Sequence, residues 1–128
     1  MGKIDFEAYH YECHNKGNYL HFKIKGEECL EASIHFIGKA VLETQNHGIF
    51  KILYEEEFRG SALTIDLIQI SEYIMKFKFE KNHKLKVAYV NLVNDKMGVD
   101  FFEDFLNNRG FNLKIFDNNK EAIQWLTT

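Results

Sequence analysis

No proline occurs in the 128 residues, so no rigid linker divides the chain and no fixed φ stops a helix. Glycine and asparagine must do the punctuation instead. Cysteine is nearly absent too. Cys13 and Cys29 are far apart and form no CxxC pair, which argues against a disulfide framework, a thiol metal knuckle and a dithiol redox motif. A reducing, cytoplasmic setting is the expectation. Positive charge is not in excess: 16 Lys and Arg face 19 Asp and Glu, for a net charge of -3. Without a basic field, neither nucleic acid nor an anionic membrane surface is an expected partner. No apolar run nears the roughly 18 residues of a membrane span, and no basic-then-apolar signal opens the sequence.

What is present is ordinary globular material with many aromatics. Hydrophobic residues make up 45% and charged residues 27%, and there are twelve Phe and six Tyr beside one Trp. At 15.1 kDa a single domain over residues 1–128 is long enough to bury a core without disulfides or metals.

The chain opens as a hairpin. Phe6 to Cys13 reads as strand, Asn15 to Asn18 (NKGN) as the turn, and YLHFKIK as the return. Such a turn pairs Cys13 with Leu20 and Glu12 with His21. Tyr9, Tyr11, Cys13, Leu20, Phe22 and Ile24 then share one face, and His10, Glu12, His14, His21 and Lys23 the other. Ile4, Phe6 and Ala8 fall on the wrong face, which predicts a bulge near Ala8.

Alternation follows. Glu28 to Gln45 is expected to be helical, with Leu30, Ile34, Ile37, Ala40 and Val41 inward and Gly48 as its left-handed cap. IFKILY reads as a buried parallel strand. Thr64 to Lys78 is the second predicted helix, with Leu67, Ile70, Ile74 and Phe77 in a stripe. LKVAYVNL is a strand, and Asp95 to Asn108 a helix with Phe101, Phe102, Phe105 and Leu106 inward. NLKIF closes the sheet. Asn118, with Glu121 three residues on, caps a last helix. The order βbαbαbαbα means an α/β fold with four parallel strands and one antiparallel strand.

That order, with Lys86 to Val90 (KVAYV), the Phe101–Phe105 helix, Ile115-Phe116, Glu121-Ala122 and Trp125-Leu126, resembles the SpoIIAA-like and STAS/SEC14-like small proteins, relatives of the bacterial anti-sigma-factor antagonists. The topology covers the whole chain, and the residue likeness about the last 45 residues. In regulatory members a serine at the start of the second helix accepts phosphate in a DSSGLG-like loop and so switches partner binding. RGSALT stands at that place. Ser61, Ala62 and Leu63 occupy the Ser-Gly-Leu positions, while Gly60 replaces the aspartate and Ala62 the glycine. The resemblance therefore implies a location for partner binding rather than the phosphorylation itself.

The same stretch offers YEEEFRGSALT. On a strand, Glu55 and Glu57 point one way and Glu56 the other, so two carboxylates share a side, with Arg59 able to pair with either. A solvated strand end is the plainer reading, and Thr64 is the plainer N-cap. His10, Glu12, His14 and His21 are ligand types zinc or copper accepts, yet an open sheet face lacks a cavity to hold them, so only adventitious binding is expected. Cys29 reads as an inert packed thiol.

The resulting expectation is a non-enzymatic interaction module without a cofactor. It would bind a protein partner, or itself, near Glu55, Glu57, Arg59, Ser61 and Thr64. An apolar small molecule or lipid held between the second and third helices is the alternative.

Overall fold

The computed structural model describes residues 9–27, 30–59, 68–70, 72–73, 76, 85–91, 96–108 and 111–128. The expected bulge at Ala8, the Cys29 thiol, most of the second predicted helix and the Ser61–Thr64 segment lie outside them.

Five strands form one sheet in chain order: β1 (Tyr9–Asn15), β2 (Leu20–Glu27), β3 (Lys51–Arg59), β4 (Lys86–Asn91) and β5 (Asn112–Phe116). β1 is antiparallel to β2, and β2 through β5 run parallel. Helix α1 (Leu30–His47) joins β2 to β3, helical residues 68–70 and 72–73 lie between β3 and β4, and α2 (Lys96–Asn107) joins β4 to β5. The last helix, α3 (Asn119–Leu126), follows β5. The predicted order and strand directions therefore stand.

The β1–β2 turn differs from the expected one. Lys16 N–H donates to the Tyr19 carbonyl at 3.0 Å, so that only Gly17 and Asn18 lie inside the closing pair of the hairpin. Gly17 has φ 94 and Asn18 does not have a positive φ, so glycine holds the first central place of the turn, as a type II′ hairpin requires. Asn15 Oδ1 accepts from Gly17 N–H at 2.8 Å and steadies it. Cys13 then pairs with Phe22, Glu12 with Lys23, and His14 with His21. The pairing is two residues away from the expectation. A shift of two keeps every side chain on its face, so the polar and apolar sorting could not distinguish the two registers.

The sheet has two unlike faces. On one, Tyr9, Leu20, Phe22, Ile24 and Ile52 are buried with Phe36 of α1, while Tyr89 and Leu113 are buried with Ile70 and Leu106 of α2. On the other, Leu53, Ala88 and Val90 pack against Ala122 and Leu126 of α3. Burying a side chain of this size contributes about 1.5–3 kcal/mol, so the central strands, covered on both sides, anchor the fold.

α1 buries Ser33, Phe36 and Thr44, with Ile37 and Ala40 packed beside them. Ile37 and Ala40 belong to the predicted stripe, whereas Ser33, Phe36 and Thr44 do not; Ile34 and Val41 are half-buried, and the side chain of Leu30 lies outside the described residues. Two of the buried positions are hydroxyl residues, which hydropathy cannot flag; Thr44 satisfies its hydroxyl on the Val41 carbonyl at 2.7 Å. Gly48, at φ 65, ends the helix, and Ile49 N–H returns to the Thr44 carbonyl at 3.2 Å. Asn118 caps α3 as expected, accepting from Glu121 N–H at 2.9 Å. At the C-terminus of α3, Lys86 donates from Nζ to the Trp125 carbonyl at 2.7 Å and lies over the indole ring.

Candidate functional site

The acidic run is a solvated strand end only at Glu57. β3 continues through Glu55, Glu56 and Glu57 to Arg59, and strand alternation sends the three carboxylates to three different environments.

Glu55 points to the α3 face. His21 of β2 reaches it from Nε2 at 3.0 Å, and Asn119, the first residue of α3, donates from Nδ2 to the same Oε1 at 2.6 Å. Both side chains of the pair are mostly buried, His21 at 10% and Glu55 at 16% exposure. For His21 burial dominates and lowers the pKa, against the raising effect of Glu55; the ring is thus neutral at neutral pH and acts as an N–H donor. Burial alone would raise Glu55, but the hydrogen bonds from Asn119 and His21, with the nearby charges of His21 and Lys23, outweigh it and hold the carboxyl below its usual range. Asn119 Oδ1 is left buried without a hydrogen-bond partner among the described residues.

Glu56 points to the opposite face and is largely enclosed. The Tyr89 hydroxyl donates to it, and Tyr54 supplies a second hydrogen bond. Burial raises its pKa, only partly offset by the two tyrosines. Their rings lie 5.0 Å apart, and Phe36 of α1 stands 5.2 Å from Tyr54, so the carboxyl sits at the end of an aromatic row. Glu57 alone of the three is exposed.

Glu55 and Glu57 do share a side, yet one is tied to His21 and Asn119 while the other faces water. No carboxylate pair suited to acid–base work is assembled from this run. Arg59 ends β3; its side chain, with Ser61 and Thr64, lies outside the described residues. The imidazole and amide on Glu55 were not anticipated. The one signal available was parity, which puts His21 and Glu55 on the same face once β2 and β3 are parallel neighbours.

The four adventitious metal-ligand residues share the open face of the hairpin without converging on one point. His21 is committed to Glu55. His14 stands opposite it in the hairpin and pairs with Glu12 at 3.4 Å on an exposed surface, and His10 is exposed on the same strand. Among the described residues no three His, Cys, Asp or Glu side chains are grouped to hold a metal ion. Cys13 packs on the α1 face, where burial first and then Glu43 push its thiol up to about 11, so it is protonated and unreactive at neutral pH.

This arrangement of strands and helices matches a solved structure. An uncharacterised protein of the DUF3478 family from Shewanella loihica PV-4, whose crystal structure was described as having a SpoIIAA-like fold, superposes with a TM-score of 0.54 over 93% of both chains. The fold is SpoIIAA-like. Identity to that protein is 21%, so the likeness carries the SpoIIAA-like architecture and nothing about activity. No family model matches the sequence, and no curated protein matches it. Among the described residues no helix is long and apolar enough to cross a membrane.

Proposed function

We propose that this SpoIIAA-like chain is a non-catalytic interaction module that meets a protein partner at the carboxyl end of β3. The contact would run from Glu57 through Arg59 into the Ser61–Thr64 segment. The observation that carries this reading is the division of the acidic run. Glu55 and Glu56 spend their hydrogen-bonding capacity inside the molecule, on opposite faces, and Glu57 is left exposed where the chain leaves the sheet. In open α/β sheets that edge is where ligands meet the fold. A fixed strand end followed by a segment bearing a glycine, hydroxyls and a guanidinium suits recognition by a second protein better than bond-making chemistry.

A photo-reactive residue at position 57 tests it in cells. A discrete product is expected there and not from the same probe at Lys114, an exposed position on β5. Arg59→Ala or Ser61→Asp should diminish it. Equal products from both positions, or a lipid retained in native mass spectrometry, would overturn the reading, the latter in favour of an apolar-ligand carrier.

A further inference from the structure

The two edges of the sheet are treated differently by the chain. At β5, three backbone groups facing away from β4 are occupied. Asn107 of α2 accepts from Leu113 N–H at 3.0 Å and donates to the Leu113 carbonyl at 2.8 Å, and Glu103 accepts from Ile115 N–H at 2.8 Å. Side chains of α2 therefore close that edge to further strand pairing.

β1 ends the sheet on the other side. The Lys16–Tyr19 bond fixes the phase of its ladder: with Lys16 bonded to Tyr19, the residues bonded to β2 are His14, Glu12 and His10. The N–H and C=O of Tyr11 and Cys13 then point outward, and among the described residues nothing bonds to them. An edge strand whose Tyr11 and Cys13 amides point outward is a template for another strand.

We infer that β1 pairs antiparallel with β1 of a second copy of this chain, about a two-fold axis at Tyr11, joining two five-stranded sheets into one. The side chains of β1 are self-complementary in that register. His10 falls opposite Glu12 of the second copy, and Glu12 opposite its His10, so an imidazole meets a carboxylate twice on the open face. On the α1 face Tyr11 meets Tyr11, and Tyr9 meets Cys13. Cross-strand aromatic pairs and donor–acceptor pairs each add to a sheet. Neighbouring registers are poorer. Centring on Glu12 places two carboxylates directly opposite, and centring on Cys13 sets Tyr11 against Asn15, whose amide is already used on Gly17 and lies 3.4 Å from His47. The occupant is thus another copy rather than an unrelated extended peptide. This surface is separate from the β3 end, and the inference does not depend on the function proposed there.

Sedimentation of the full chain with charge-swapped variants tests it. The wild type is expected at twice 15.1 kDa at high micromolar concentration. Glu12 is 64% exposed, so Glu12→Lys should keep its circular dichroism spectrum while moving the equilibrium tenfold or more toward monomer. Adding His10→Glu to Glu12→Lys sets a carboxylate opposite an ammonium across the two-fold and should restore the dimer, whereas Lys23→Glu on β2 should leave it intact. A wild type that stays monomeric overturns the proposal. So does a dimer indifferent to Glu12→Lys, and so does a folded double variant that remains monomeric.

Discussion

At the scale of single residues, the parity of a position on β3 decides whether its carboxylate meets an imidazole, a phenol or water, and each environment leaves its own mark on pH-dependent stability. Glu56 has its pKa raised by burial, so the native state holds its proton more tightly than the unfolded chain. The stability this contributes is complete below the usual glutamate value of 4.5 and is lost as pH rises through the higher native value. Glu56→Gln removes the loss. The melting temperature of the variant, minus that of the wild type, should therefore grow as pH rises from 4.5 toward neutrality; a constant difference would contradict the enclosed carboxyl. His21 works in the other direction. Its pKa is lowered, chiefly by burial, so its contribution is present above the usual histidine value of 6.5 and fades as pH falls through the lower native value. His35, also lowered by burial and by Lys39, adds to the same window, and Glu55 extends the loss below 4.5. Denaturant titrations of His21→Gln should show a shallower loss of stability below pH 6.5 than the wild type. An unchanged slope would mean that His21 is not shielded as described. The opposing effects of Glu56 and His21 partly cancel in the wild type, so only the variants separate them.

At the scale of elements, α2 does two things: it covers the Tyr89 side of the sheet with Leu106 and closes the β5 edge with Asn107 and Glu103. Asn107→Ala deletes two hydrogen bonds, at a cost of about 1 kcal/mol each, and uncovers the Leu113 amide. A drop of about 2 kcal/mol in denaturant unfolding, with concentration-dependent aggregation that the wild type lacks, is the expected result. Loss of stability without aggregation would remove the edge-guarding role while leaving the bonds. The cap of α3 is simpler. Asn118→Ala should cost about 0.5–2 kcal/mol, read from the same unfolding curves. These elements also show what sequence alone makes legible. Asn118 with Glu121, Gly48 and the NLKIF strand are local patterns, and all three appear where the residues put them. The hairpin register slipped by two because face sorting repeats every two residues. The stripe of α1 was legible at Ile37 and Ala40 but not at Ser33 and Thr44, which look polar; Thr44 satisfies its hydroxyl on the helix's own backbone. The Glu55–His21–Asn119 contact joins residues 34 and 64 positions apart. Parity states which face each occupies, but only the docking of α3 over β3 brings them within reach.

At the scale of the whole molecule, the sheet grades from a centre covered on both sides to a hairpin covered on one. Leu53, Ala88 and Val90 are fully buried beneath α3, and their strands carry Ile52, Tyr54 and Tyr89 against the opposite helices. By contrast His10, Glu12, His14, Lys23 and Lys25 face water on the side where α3 does not reach. Local opening should therefore begin at β1 and end at β3 and β4, because fewer apolar contacts must be broken there. Hydrogen exchange reads this gradient directly, and within β1 it reads the ladder phase as well. In dilute protein the amides of Ala88 and Val90 should exchange slowest. His10, Glu12 and His14 should be intermediate, while Tyr11 and Cys13, whose N–H groups point away from β2, should exchange fastest in the strand. Raising the concentration should slow Tyr11 and Cys13 selectively if two copies join at this edge, because those are the amides the second β1 would occupy. Slow exchange of Tyr11 and Cys13 at every concentration would mean that the edge is closed from within the chain, and the protein would then expose no strand for pairing.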